Sequence, residues 1–239
     1  MPDDQLTYYL AFDHRGLFHR DLFGLDSPLG AKDAQRVKDA KGLIYEGLLL
    51  ASERDGRAET AALLVDEEFG SQIANDAVER GFTLAMPVER SDADEFDFEF
   101  GDDFGTHIAT FNPTYAKVLV RYNPRGDSEA NQRQLERLRR LSDWLDSEGR
   151  RFLFELIVPP TEEQLAAAGG DKVAYEKEQR PDLTLEAMRE IINSGIRVDV
   201  WKLEGFDDQQ DAERAAALAR ADGRDEVVLE LLGAGAEED

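Results

Sequence analysis

The sequence predicts an α/β protein of the (β/α)8 TIM-type barrel class, and three observations carry that expectation. Short β-rich runs alternate with longer amphipathic segments, the pattern of a parallel sheet with crossover helices. Seven such runs recur over the 239 residues at a pitch of roughly 30 to 35 residues, which suits one barrel unit each. Almost every run ends in polar residues, where a barrel places its reactive groups.

The strand candidates are Tyr8–Phe12, Ala62–Val65, Thr83–Pro87, Val118–Tyr122, Phe152–Val158, Val198–Leu203 and Val227–Leu232. Between them, Lys32–Ala51, Ser71–Arg80, Asn131–Ser147, Leu183–Asn193 and Asp208–Ala221 read as helices. In the Asn131 segment, Leu135, Leu138, Leu141 and Leu145 recur at three- and four-residue steps, an apolar stripe on a charged helix. "PDLTLEAMREIINSG" offers Thr184 as N-cap and Gly195 as C-cap. A doubly wound open sheet is the alternative, but "AFDHRGLF" is not its glycine-rich phosphate turn. Seven strands are readable, not eight, and the sequence stops at "VVLELLGAGAEED". Either one strand lacks a visible pattern or the eighth unit is incomplete in this chain. No linker-like or low-complexity stretch interrupts residues 1–239, so a single domain is expected.

Composition narrows the chemistry. With 52 acidic and 28 basic residues, the formal charge is −24, which repels a phosphate backbone and argues against a nucleic-acid partner. The acids run along the whole chain, which favours a solvated acidic surface over a cation-binding tail. The absence of cysteine excludes disulfides and thiolate metal sites. The N-terminus lacks a basic segment followed by a long apolar run, and no apolar stretch approaches a membrane span. A soluble, cytoplasmic protein is expected.

Strand ends supply Asp13, His14 and Arg15, then Asp66, Glu67 and Glu68, then Glu89 and Arg90, then Arg121 and Asn123. An acidic surface explains any one of these. It does not explain Glu155 and Lys202, which interrupt apolar strands. Alternation puts Leu153, Glu155 and Ile157 on one face of "RFLFELIVPP" and Val198, Val200 and Lys202 on one face of "VDVWKLEG". The aromatic residues take the opposite faces, beneath the helices. Glu155 and Lys202 then face the barrel interior on adjacent strands, where an unpaired charge is costly. They are either a structural ion pair or a working amine with its proton carrier. Lys117, Leu119 and Arg121 share a face of "AKVLVRYNP", and these cations would favour a neutral Lys202.

"LAFDHRG", "LLVDEEFG", "PVERSDADEFDFEFGDDFG", "KVLVRYNPRGD", "FLFELIVPPT" and "VDVWKLEG" together resemble the aldolase-type (DUF2090-like) domain of bacterial inositol catabolism. That domain is often fused to a sugar kinase and is linked to 2-deoxy-5-keto-gluconate 6-phosphate aldolase. More distantly the pattern resembles tagatose bisphosphate aldolase, a class I, Schiff-base barrel enzyme. The likeness extends from about residue 7 to residue 235. It implies a carbon–carbon lyase with Lys202 as Schiff-base lysine, Glu155 as proton-transferring glutamate, Lys117 as second active-site lysine and Asp13 as a substrate contact. Arg15, Arg121, Asn123 and Glu204 are candidate substrate-binding residues, with Gly233 and Gly235 as backbone donors to a phosphate. A phosphorylated keto sugar or keto sugar acid is the expected ligand, with a sugar kinase as a possible neighbour, oligomers allowed, and neither metal nor other cofactor required.

One departure stands out. Relatives show "LGRG" where this chain has "LLGAGAEED", with Ala234 in place of the arginine. A barrel that binds a sugar phosphate without turning it over is therefore a second reading. A third is metal-assisted chemistry, through Glu67, Glu89, Asp97, Glu99, Asp102, Asp103 and His107.

Overall fold

A computed structural model describes residues 8–55 and 61–232. The fold is α/β, built on a seven-stranded sheet whose order follows the sequence, β1 to β7. The strands are β1 (Tyr8–Ala11), β2 (Ala61–Leu64), β3 (Thr83–Pro87), β4 (Tyr115–Arg121), β5 (Arg151–Ile157), β6 (Val200–Leu203) and β7 (Val228–Leu231). The helices are α1 (Gly16–Phe23), α2 (Ala31–Asp55), α3 (Glu67–Glu79), α4 (Phe104–Phe111), α5 (Ser128–Ser147), α6 (Glu162–Ala167), α7 (Lys172–Glu178), α8 (Arg180–Asn193) and α9 (Gln209–Ala219). Among the described residues, no helix is long and apolar enough to cross a membrane.

The chain divides into two compact units, Met1–Asp92 with Phe98–Lys117 and Ala93–Asp97 with Val118–Asp239. In the first, β1, β2, β3 and the start of β4 pair in parallel. Leu63, Leu84 and Met86 from the strands, with Phe12 and Val65 just beyond β1 and β2, meet Tyr45 of α2 and Ile73, Ala74 and Ala77 of α3 in one apolar core. In the second, β5, β6 and β7 pair in parallel. Leu138, Leu141 and Leu145 of the leucine stripe on α5 are buried there, as are Phe152, Phe154, Leu156 and Trp201. The rings of Phe154 and Trp201 lie 5.1 Å apart.

The structure revises several boundaries. β4 begins at Tyr115, three residues before the expected Val118, so Lys117 stands inside the strand instead of just before it. Asp66, Glu67 and Glu68 are not loose strand-end acids: the Asp66 side chain accepts the Phe69 N–H and caps α3, whose first turn holds the two glutamates. Thr184 is not an N-cap. Helix α8 starts at Arg180 with Pro181 in its first turn, and the Thr184 hydroxyl donates back to the Arg180 carbonyl. α1, α4, α6 and α7 fall outside the expected helices, because short helices carry too few turns to show a period.

Trp201 has no solvent exposure, so Trp201→Ala removes a large buried ring that its neighbours cannot replace. Urea or thermal unfolding of that variant should show a loss of about 3–5 kcal/mol.

Candidate functional site

The charged strand residues gather in two groups, one in each unit. In the second unit, Glu155 of β5 and Lys202 of β6 are register partners. Glu155 is 5 % exposed and Lys202 8 %, and the ammonium Nζ lies 3.3 Å from Glu155 Oε2. The register continues to β7, where Lys202 is partnered by Glu230. In-register residues of parallel strands project to the same face, so carboxyl, amine and carboxyl form one row across three strands. Burial pushes the Glu230 carboxyl up to about 7; the Lys202 ammonium pulls against that, while the Glu155 charge adds to it. Glu230 Oε2 is shielded from solvent and accepts no hydrogen bond.

Around this row the second unit fixes its loops with polar side chains. Glu204 Oε2 accepts the Val158 N–H at 2.9 Å and stands 4.0 Å from Arg180 Nη1. Arg180 Nη2 donates to the Gly205 carbonyl, and the Tyr175 hydroxyl donates to the Val158 carbonyl. Asn123 ties its own loop to the segment after β5: Nδ2 donates to the Pro159 carbonyl and to Gln164 Oε1, while Oδ1 accepts the Arg125 N–H. Arg121 closes β4 and is exposed. Gly233 and Gly235 lie outside the described residues.

In the first unit, the Lys117 ammonium, 2 % exposed, donates to Asp13 Oδ2 and Glu89 Oε1, each at 2.9 Å. Burial raises the Glu89 carboxyl, and the Lys117 cation opposes that. Arg15 is buried and spent internally, on Glu99 through Nη1 and on the Glu89 carbonyl through Nη2. Lys41 of α2 has no solvent exposure. Its ammonium donates to the carbonyls of Phe12 and His14 at 2.8 and 3.1 Å and to Asp66 Oδ2. Burial holds this amine below the usual lysine range, with Asp66 pulling it back up. Lys41 thus grips the backbone on both sides of Asp13 and ties it to the cap of α3.

The acidic run after β3 does not assemble a metal ligand set. Glu67 bonds His107 Nδ1 at 2.9 Å, and that imidazole stacks on Phe100. Glu89 answers Lys117, Glu99 answers Arg15, and Asp97 lies 3.9 Å from Arg137. Among the described residues, no three histidines or carboxylates converge as ligands.

Two groups escaped the sequence reading. Glu230 had a signal: "VLELL" repeats the apolar–acid–apolar pattern of "FLFELI". Lys41 had none, because "AKDAQRVKDAKG" looks like any solvated helix until its contacts with the ends of β1 and β2 are seen.

A family model described as "Uncharacterized protein conserved in bacteria (DUF2090)" matches residues 2–239. No curated protein matches the chain.

The Lys41–Asp66 pair yields a stability test. Lys41→Met strands a buried carboxylate and should cost about 3–5 kcal/mol in urea unfolding. Lys41→Met with Asp66→Asn should recover part of that loss, since the amide oxygen still caps α3 without a charge.

Proposed function

The chain belongs to the DUF2090 family, and from that premise and the row of charged residues on β5, β6 and β7 we propose that it is a class I, Schiff-base aldolase-like carbon–carbon lyase. Its substrate class is a keto sugar or keto sugar acid, phosphorylated or otherwise anionic. In this reading the seven sequential parallel strands belong to a (β/α)8-type barrel, with the reactive groups on its inner face. The observation that carries the proposal is Lys202: a buried amine on a strand, 3.3 Å from a buried carboxylate.

The chemistry follows from that contact. Glu155 accepts a proton from the Lys202 ammonium, leaving an amine able to attack a ketone carbonyl. Loss of water gives an iminium, which draws electrons from the neighbouring carbon–carbon bond. Glu155, again a carboxylate, takes the proton of the hydroxyl two carbons from the iminium carbon as the bond breaks and an aldehyde leaves. The enamine is then protonated and hydrolysed, releasing a ketone and restoring the amine. Buried ion pairs contribute little to stability relative to apolar replacements, so a purely structural role gives weak grounds for charge at this position. Of the cations considered for an anionic end of the substrate, Arg15 and Lys117 are already paired with carboxylates, whereas Arg121 is exposed.

Incubation with dihydroxyacetone phosphate followed by sodium borohydride should leave wild type one ketone adduct heavier by intact mass. Lys202→Met should stay at its own unmodified mass. Wild type that acquires no adduct under these conditions contradicts the lyase reading. If such a protein still bound the sugar phosphate, that would favour a barrel that binds without turnover.

A further inference from the structure

Schiff-base formation converts an ammonium to an iminium, so nitrogen sheds two protons while the carbonyl oxygen gains two and departs as water. Glu155 is an acceptor for the first nitrogen proton. A second acid would protonate that oxygen as the amine adds, leaving Glu155 to keep its proton for the departing hydroxyl. The row on β5, β6 and β7 contains a second carboxyl, on the other side of Lys202.

We propose that Glu230 is the acid partner of Lys202, a carboxylic acid that protonates the ketone oxygen as the amine adds. The inference rests on the Schiff-base reading and extends it to a residue outside the set that the resemblance implies. Three features of geometry carry it. Glu230 is the register partner of Lys202 on β7, as Glu155 is on β5. Its Oε2 is shielded and accepts no hydrogen bond, a placement that penalises an ionised oxygen far more than a neutral carboxyl. The nearer anionic role is already filled by Glu155, whose Oε2 meets the ammonium at 3.3 Å, and two ionised carboxylates beside one ammonium would leave the row with a net negative charge.

The charged groups that act on Glu230 are Lys202 from β6 and Glu155 from β5. Helix α9, which packs on β7, brings Arg220 to the Val227 carbonyl. Burial outweighs the Lys202 charge, with Glu155 adding to it, and keeps the carboxyl largely protonated below a pH of about 7.

The protons balance as follows. Glu155 takes one from the ammonium, and the neutral amine adds to the carbonyl carbon. Glu230 gives its proton to the oxygen, then recovers one from the newly bonded, cationic nitrogen. Glu155 returns its proton to the hydroxyl, which leaves as water, and nitrogen keeps one hydrogen in the iminium. Glu230 ends protonated and Glu155 ends as a carboxylate, the state needed for bond cleavage.

The test is the rate of borohydride trapping with dihydroxyacetone phosphate, followed across pH, together with a carbon NMR titration of the Glu230 carboxyl. In wild type, the trapping rate should contain a component that falls as pH rises through about 7, because the acid is lost there. Glu230→Gln should trap roughly a hundredfold more slowly and lose that component, and Glu230→Asp should restore part of both. The NMR midpoint of Glu230 should lie near 7. Glu230→Gln that traps at the wild-type rate with an unchanged pH profile overturns the role. So does a Glu230 midpoint in the ordinary carboxylate range. Wild type that never traps the ketone, with a Glu230 midpoint near 7, overturns the lyase reading and the donor role that depends on it. It would leave the raised carboxyl itself standing.

Discussion

A buried ammonium cannot stand without a carboxylate beside it, and this requirement organises both units of the chain. Removing a charge from water costs several kcal/mol even after the protein relaxes, roughly repaid only when the partner is close and correctly placed. Lys202 meets it with Glu155 across β5 and β6; Lys117 with Asp13 and Glu89; Lys41 with Asp66 and two carbonyls. Each arrangement fixes register or loop position as a by-product. Sliding β6 by one residue would turn Lys202 toward the aromatic layer and bring Trp201 to the charged face.

Lysine and arginine are used differently here. Three of the seven lysines, Lys41, Lys117 and Lys202, are buried, whereas arginine supplies exposed pairs such as Arg80 with Asp76, Arg139 with Asp143 and Arg214 with Asp182. A guanidinium stays charged under all ordinary conditions, but an amine can surrender its proton when its surroundings require it. In a chain with a formal charge of −24, three of the scarce lysines thus stand where burial bears on the proton they carry.

The sequence reveals much of this and conceals the rest for identifiable reasons. The row Glu155–Lys202 is legible because a strand has a period of two: a charge inside an apolar run must share a face with its i±2 neighbours. The long helices α2 and α5 show themselves through length and the leucine stripe. Lys117 falls just before the expected strand, since Tyr115 and Ala116 extend β4 without any β-branched signal. Asp66 looked like a strand-end acid because capping and catalysis favour the same residue types. Lys41 is illegible in principle from a helix of alternating charges, for its burial is decided by the ends of β1 and β2, distant in sequence. Glu230 could have been read from the "VLELL" pattern, but a strand near the chain end invites less scrutiny than "FLFELI" does.

Lys202 as the reacting amine is tested most directly by a crystal structure of the borohydride-reduced dihydroxyacetone phosphate adduct. Continuous density joining the ligand carbon to Nζ of Lys202, with the carboxyls of Glu155 and Glu230 facing the new bond, is the expected result. Density joining the ligand to Lys117, Lys41 or a surface lysine, with Lys202 Nζ still paired to Glu155 alone, would contradict it.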